Sequence, residues 1–185
     1  RYGTVTGVQT CALPICWDVV PYILNYRRSE LPVDFRSPHR VSKQVRNDSV
    51  TLNRALKTLK EKHPKLLFVE FCETDYYGHH GKWKEYLNAA HQNDSFIRQL
   101  WECCQQDPFY KGNTTFLITC DHGRGESLGA HANRGEVDSQ ASWTEHGKRI
   151  KGSNQTWLVA FGKDIQHLGD RKSTRLNSSH SSVYR

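Results

Sequence analysis

The chain has 185 residues, enough for one domain core, and a net charge of +7 from 26 basic and 19 acidic residues. The basic residues are scattered rather than clustered on one side, so the charge does not indicate a nucleic-acid-binding module. No apolar run reaches the length of about 20 residues that a membrane-spanning helix needs, so no membrane segment is expected.

Both ends of the chain resemble translated sequencing-adapter DNA. Residues 5–15 read VTGVQTCALPI and residues 170–180 read DRKSTRLNSSH, which correspond to one synthetic adapter read on opposite strands. We therefore interpret residues 1–16 and 170–185 as tails foreign to the protein, with Cys16 at the junction, and expect them to lack packed contacts with the core. These ends hold five basic residues and one acidic residue, so the remaining segment has a net charge of only +3.

Residues 17–169 are expected to be the C-terminal part of a single truncated domain. Trp17–Asn25 is apolar around a central proline and predicts a turn followed by a helical piece. Residues 26–46 are charged and contain two prolines, which predicts a loop. A helix is then predicted from Asn47 or Ser49 to His63, with an apolar stripe at helical spacing: Val50, Leu52, Ala55, Leu56 and Leu59.

Strands and helices alternate in the second half of the chain. Short runs of strand-forming residues predict strands at Leu66–Cys72, Thr115–Cys120 and Thr156–Phe161, with a helix over 82–106 and a long loop over 123–153. The expected buried positions of that helix are Trp83, Tyr86, Leu87, Ala90, Ile97, Leu100 and Trp101. This order predicts an α/β fold with a mixed, mostly parallel sheet and helices on both faces.

The cysteines carry little information. Cys72 and Cys120 lie inside apolar runs and are interpreted as small buried hydrophobic residues. Cys103 and Cys104 are adjacent, which is not the spacing of a zinc knuckle.

Acidic residues and histidines follow the ends of two predicted strands. The segment ETDYYGHHG places Asp75 and His79 four residues apart, and FLITCDHGRG places Asp121 beside His122. The long loop adds His146 in the stretch TEHG. Because loops at the carboxyl ends of parallel strands line one crevice, we expect these side chains to converge.

The residue types suit divalent metal ions. Imidazole nitrogen and carboxylate oxygen bind zinc at about 2.0–2.2 Å, and two ions about 3.5–4 Å apart can stabilise displacement at phosphorus. Each residue also has a plainer interpretation. Asp75 could be a turn cap, His146 a solvent-exposed histidine, His80 a bystander of His79, and Arg124 a solvated loop arginine.

The combination D-x-x-G-H-x-G, then DHG, then a later H-G resembles the alkaline phosphatase superfamily. That group contains phosphatases, nucleotide pyrophosphatase/phosphodiesterases, sulfatases and cofactor-independent phosphoglycerate mutases. The resemblance implies a fold of the alkaline-phosphatase type. It also implies that one metal ion is held by Asp75, His79 and His146 and a second by Asp121 and His122. His80 and Arg124 are expected to contact the substrate.

The resemblance further implies a metal-dependent hydrolase of small-molecule phosphate esters, either monoesters or diesters. The expected cofactors are two divalent ions, zinc above all, with manganese as an alternative. The nucleophile would lie upstream of Trp17, so the chain as given is expected to be inactive. A location outside the cytoplasm is favoured by the resemblance alone. Sulfate-ester hydrolysis, phosphomutase chemistry and a non-catalytic metal-binding scaffold remain the alternatives.

Overall fold

The computed structural model describes residues 10–13, 35–36, 47–126 and 143–166, with side chains described in the last two ranges. The element predicted at Trp17–Asn25, most of the loop predicted over 26–46, and the tail 170–185 lie outside these residues. Within the described ranges, helices and strands are mixed, which confirms the α/β class.

The described residues include three helices: α1 (Asp48–Lys62), α2 (Glu73–His79) and α3 (Trp83–Gln106). Asn47 caps α1 as predicted, because its side chain accepts a hydrogen bond from the Ser49 backbone N–H. The helix ends at His63, whose left-handed backbone lets its N–H bond to the Leu59 carbonyl. No helix among these combines the length and the hydropathy needed to cross a bilayer.

The strands are β1 (Thr10–Leu13), β2 (Phe35–Arg36), β3 (Leu66–Val69), β4 (Thr115–Thr119) and β5 (Leu158–Gly162). They form a three-stranded sheet in the order β2-β1-β3, in which both pairings are parallel, and a separate sheet of β4 and β5. β4 and β5 pair antiparallel, so the parallel arrangement expected for the strands is wrong for this pair. Antiparallel pairing needs no helical crossover, and the segment between the two strands was predicted as a loop.

The tail predicted over residues 1–16 includes strand β1. Thr10–Leu13 pairs with Leu66–Val69 in register, with Cys11 opposite Leu67. The expectation that these residues lack contacts with the core is therefore wrong for this strand. Strand pairing uses backbone groups that every residue carries, so a four-residue segment can satisfy the edge of β3 whatever its origin. The adapter origin of the tails stays a prediction.

The apolar core lies between α1, α3 and the segment after α3. Its buried members are Leu52, Ala55, Leu59, Phe96, Leu100, Cys104 and Tyr110. The stripe predicted on α1 is largely confirmed, although Val50 is exposed. The face predicted on α3 is confirmed only in part: Leu100 is buried as predicted, but Leu87 and Trp83 are exposed, and Ala89 and Phe96 are buried instead. Trp83 and Tyr86, at the start of α3, follow the helical periodicity expected of core residues, but they pack with Trp143 outside the core.

The β4–β5 sheet has one covered face and one open face. Phe116 and Phe161 stack on each other and both contact the Trp101 ring of α3. Leu117 and Leu158 point to the opposite face and are 69% and 57% exposed. The sheet is therefore fixed to α3 through aromatic contacts on one side only.

Two cysteines differ from the sequence interpretation. Cys72 is buried, as predicted, but it is also disulfide-bonded. Cys120 is half-buried and free.

Candidate metal centre

Helix α2 delivers the first two site residues. It follows β3 after a three-residue gap, and the segment predicted as a loop here is helical. Asp75 and His79 are one turn apart on this helix, so their side chains share a face, with Asp75 Oδ2 3.5 Å from His79 Nε2. A helix fixes this spacing more tightly than a loop does.

The loop after β4 delivers His122 with one ring nitrogen already occupied. His122 Nδ1 lies 2.9 Å from the Gly123 carbonyl oxygen, which can only accept a hydrogen bond, so the ring is protonated at Nδ1. The opposite nitrogen, Nε2, lies 3.8 Å from Asp75 Oδ1 and 3.4 Å from Asp121 Oδ2. This is the tautomer in which Nε2 can bind a metal ion.

His146 closes the cluster from the segment after the long loop. Its Nε2 lies 2.9 Å from His79 Nε2 and 3.7 Å from Asp75 Oδ1, and its ring stacks on His122 with centroids 3.6 Å apart. Burial, helped by the neighbouring His122, lowers the pKa of His146 below its usual value. This shift favours the neutral imidazole, the form that binds a metal ion.

Glycine lets the two loop segments meet. The Gly123 N–H donates to the Ser153 carbonyl and the Gly125 N–H to the Glu145 carbonyl. A Cβ atom at Gly123 would lie 2.1 Å from the Gly152 carbonyl oxygen, so no larger residue fits without moving backbone. The DHGRG stretch therefore owes its first glycine to this close approach.

The predicted convergence is observed. Ligands of a tetrahedral zinc ion stand about 3.3 Å apart, given bonds of about 2.0–2.1 Å. The separations of 2.9–3.8 Å around Asp75 and the three histidines fit that value. Asp75, His122 and His146 form the group whose ligand atoms all lie within 4.8 Å of one another. The residues of the two predicted sites thus share one cluster, with Asp75 facing both sets.

Two predicted residues lie at or beyond the edge of this cluster. The Asp121 side chain is 79% exposed and reaches only His122 among the contacts described. His80 turns away: its Nδ1 lies 2.7 Å from the Tyr76 carbonyl oxygen, and its ring packs on Tyr76. The metal-ligand role of Asp121 and the substrate role of His80 stay predictions.

Asp48, which no motif of the sequence singles out, holds α2 in place. Its carboxylate, 1% exposed, accepts hydrogen bonds from the backbone N–H groups of Cys72 and Glu73 at 2.8 and 3.0 Å. In return, the Glu73 carboxylate accepts from the Asp48 N–H at 3.0 Å. Burial raises the pKa of Asp48 to about 6. The only available signal was an acid directly after a helix cap, which is common in any helix.

A cavity of about 600 Å³ opens beside the cluster. His122 and His146 form one wall, and the segment 147–154 forms the rest, including three cations: Lys148, Arg149 and Lys151. Lys151 is already paired with Glu126 at 2.8 Å. The two imidazole rings and these basic residues therefore line the same cavity.

A family model described as the metalloenzyme superfamily matches residues 25–148, about two thirds of the chain. The chain belongs to the metalloenzyme superfamily. This superfamily is a member of the alkaline phosphatase-like group, so the predicted resemblance is confirmed at that level. Comparisons with curated proteins and with solved structures give no significant match. Membership and the clustered ligands together support a metal-dependent enzyme-type fold with a metal cofactor.

Proposed function

We propose that this metalloenzyme-superfamily chain belongs to a hydrolase of phosphate esters, either monoesters or diesters. The observation that carries the proposal is the meeting of three imidazole rings and the Asp75 carboxylate at metal-ligand spacing. Three separate segments of the chain supply these groups, so local sequence alone does not produce the cluster.

We further propose two divalent ions, zinc in preference to manganese. Asp75, His79 and His146 would hold one ion, and His122 with Asp121 would hold the other, with Asp75 between them. Histidine is a good ligand for zinc and a poor one for calcium, and this favours phosphate esters over the sulfate esters of calcium-type sites. Bound ions would supply a Lewis acid that polarises the phosphoryl oxygens.

The residues of the chain have three tasks in this proposal. The Gly123 carbonyl keeps the proton of His122 on Nδ1, so that Nε2 stays available. The lowered pKa of His146 favours the neutral ring that a metal ion binds. The cations along segment 147–154 draw an anionic ester into the cavity beside both rings.

The resemblance implies a serine or threonine nucleophile upstream of Trp17. We therefore propose that ester turnover requires this nucleophile, whereas zinc binding requires only the clustered ligands. Loss of the attacking group would remove the covalent route and leave only slow residual hydrolysis.

The test compares the chain with a longer protein in which a segment that carries the nucleophile precedes it. Both are titrated with zinc by calorimetry and assayed with nitrophenyl phosphate, bis-nitrophenyl phosphate and nitrophenyl sulfate. We expect zinc binding by both, and phosphate-ester hydrolysis by the longer protein alone, abolished by His146→Ala and by Asp121→Asn. Faster hydrolysis of the sulfate ester would overturn the substrate class. Absence of zinc binding in both proteins would overturn the proposal as a whole.

A further inference from the structure

The Arg124 side chain lies between the three segments that carry the site. Its Nη2 donates to the Asp75 carbonyl oxygen at 3.0 Å and to the Asp75 carboxylate oxygen Oδ1. Its Nη1 donates to the Thr144 carbonyl oxygen at 3.1 Å, with the Trp143 carbonyl at 3.5 Å. One guanidinium group thus joins the loop after β4, helix α2 and the segment that leads to His146.

The surroundings of Arg124 leave little room for a substrate. The side chain is only 13% exposed, and both terminal nitrogens point at protein oxygens. The guanidinium lies directly over Gly78, where a Cβ atom would stand 2.5 Å from Arg124 Cζ. The glycine of the D-x-x-G-H stretch therefore provides the space that Arg124 fills. A solvated or substrate-facing arginine would need no such space.

We infer that Arg124 is a positioning residue that orients the Asp75 carboxylate and fixes the distance between His79 and His146, in place of the substrate contact expected from the sequence. Asp75 Oδ1 is bonded to Arg124, while Oδ2 faces His79. This arrangement fixes which carboxylate oxygen is presented to each histidine. The hydrogen bond from Arg124 to the Thr144 carbonyl, two residues before His146, fixes the position of the His146 ring.

The shape of the guanidinium is essential to this role. Arginine presents several N–H donors in a rigid planar fork, whereas lysine offers one compact charge on a flexible stem. A lysine at 124 could keep the ion pair with Asp75 but not the simultaneous bonds to the Asp75 and Thr144 carbonyls. Arg124→Lys should therefore behave like a loss, not like a conservative change.

The first arm of the test measures metal affinity and rests on the proposed function. Zinc and cobalt(II) titrations are made on the full chain, on Arg124→Met and on Arg124→Lys. Removing a group that bonds to a metal-binding carboxylate weakens affinity by roughly 10–100-fold, and we expect this for both variants together with an altered cobalt absorption spectrum. Arg98→Met, an exposed arginine of α3, is the matched control and should bind metal like the parent chain.

The second arm needs no metal. Amide hydrogen exchange of the metal-free chain should be faster over 143–147 and α2 in Arg124→Met. It should be unchanged over the C-terminal half of α3, which packs in the core. Gly78→Ala displaces the guanidinium without removing its charge and should give the same pattern, which covers the case in which Arg124→Met fails to fold. If the parent chain binds no metal, the proposed function fails, and this exchange comparison alone decides the role of Arg124.

Two results would overturn the inference. One is unchanged exchange and unchanged metal affinity in both arginine variants. The other is a loss of inorganic phosphate binding by the zinc-loaded chain while metal affinity and exchange stay at parent values, which would make Arg124 a substrate contact after all.

Discussion

The two halves of the candidate centre are built in different ways. The α2 half is held from below by a side chain: the buried Asp48 carboxylate accepts the first N–H groups of the helix, and Glu73 returns the bond. The loop half is held by the backbone N–H groups of Gly123 and Gly125, together with the Arg124 side chain. The helical half therefore depends on a buried carboxylate, and the loop half depends on the close backbone approach that Gly123 allows.

The two halves should therefore be sensitive to different changes. A backbone contact at close range does not titrate, but it fails if any atom is added. A carboxylate cap tolerates small shape changes but responds to pH. The two halves meet where His79 and His146 approach to 2.9 Å, so damage to either half should appear at the same pair of rings.

The largest effect is expected from Gly123→Ala in the loop half. The new Cβ would stand 2.1 Å from the Gly152 carbonyl oxygen, and relieving that clash should lower the unfolding free energy by about 3 kcal/mol or more. Gly112→Ala is the matched control, since nothing lies within 4 Å there and the only cost is a positive φ of 68°, about 1 kcal/mol. Urea unfolding measures both; equal losses would show that the close contact is not restrictive.

The next effect concerns Asp48 in the helical half. Because its folded pKa is about 6 against 3.8 for the free group, its stabilising contribution is complete below about pH 3.8 and is lost as the pH rises through about 6. The shift corresponds to about 3 kcal/mol. Asp48→Asn should remove this dependence. We therefore expect the parent chain to lose stability relative to the variant between pH 4 and pH 7 in urea unfolding, whereas parallel curves would contradict the assignment.

The third effect is smaller in unfolding free energy but larger in zinc binding, and it distinguishes His146 from His80. His146→Ala removes a proposed ligand and should weaken zinc binding by at least about 100-fold. His80→Ala removes a ring that contacts Tyr76 instead and should change it by less than about twofold. Calorimetric titration of both variants checks this. A comparable loss in His80→Ala would bring His80 into the centre.

The sequence predicted which residues form the site better than it predicted the helix and strands that carry them. Asp75, His79, His122 and His146 come together as expected, because their motifs fix spacing along the chain. The expected reason was incomplete, since β4 pairs antiparallel with β5 and Asp75 lies on a helix. Strand pairing depends on partners far along the chain, which periodicity does not reveal.

Asp48 and Arg124 show why the supporting residues were harder to predict. Both belong to residue types that are usually solvated, and neither has a distinguishing spacing. Asp48 gains its role from Cys72 and Glu73, more than 20 positions away, and Arg124 gains its role from Asp75 and Thr144. Such roles arise only when the chain is folded.

The open face of the β4–β5 sheet has a practical consequence for anyone who handles this protein. Leu117 and Leu158 form an exposed apolar patch on the open face of this two-stranded sheet. Trp157, next to Leu158 in the chain, is also half-exposed. A ribbon of this kind invites a second molecule to lie against it, so light scattering should rise with concentration before any loss of helix signal. Leu117→Lys places a charge on that face without touching Trp101 or the metal centre, and it offers a route to the concentrated, monodisperse samples that calorimetry and spectroscopy require.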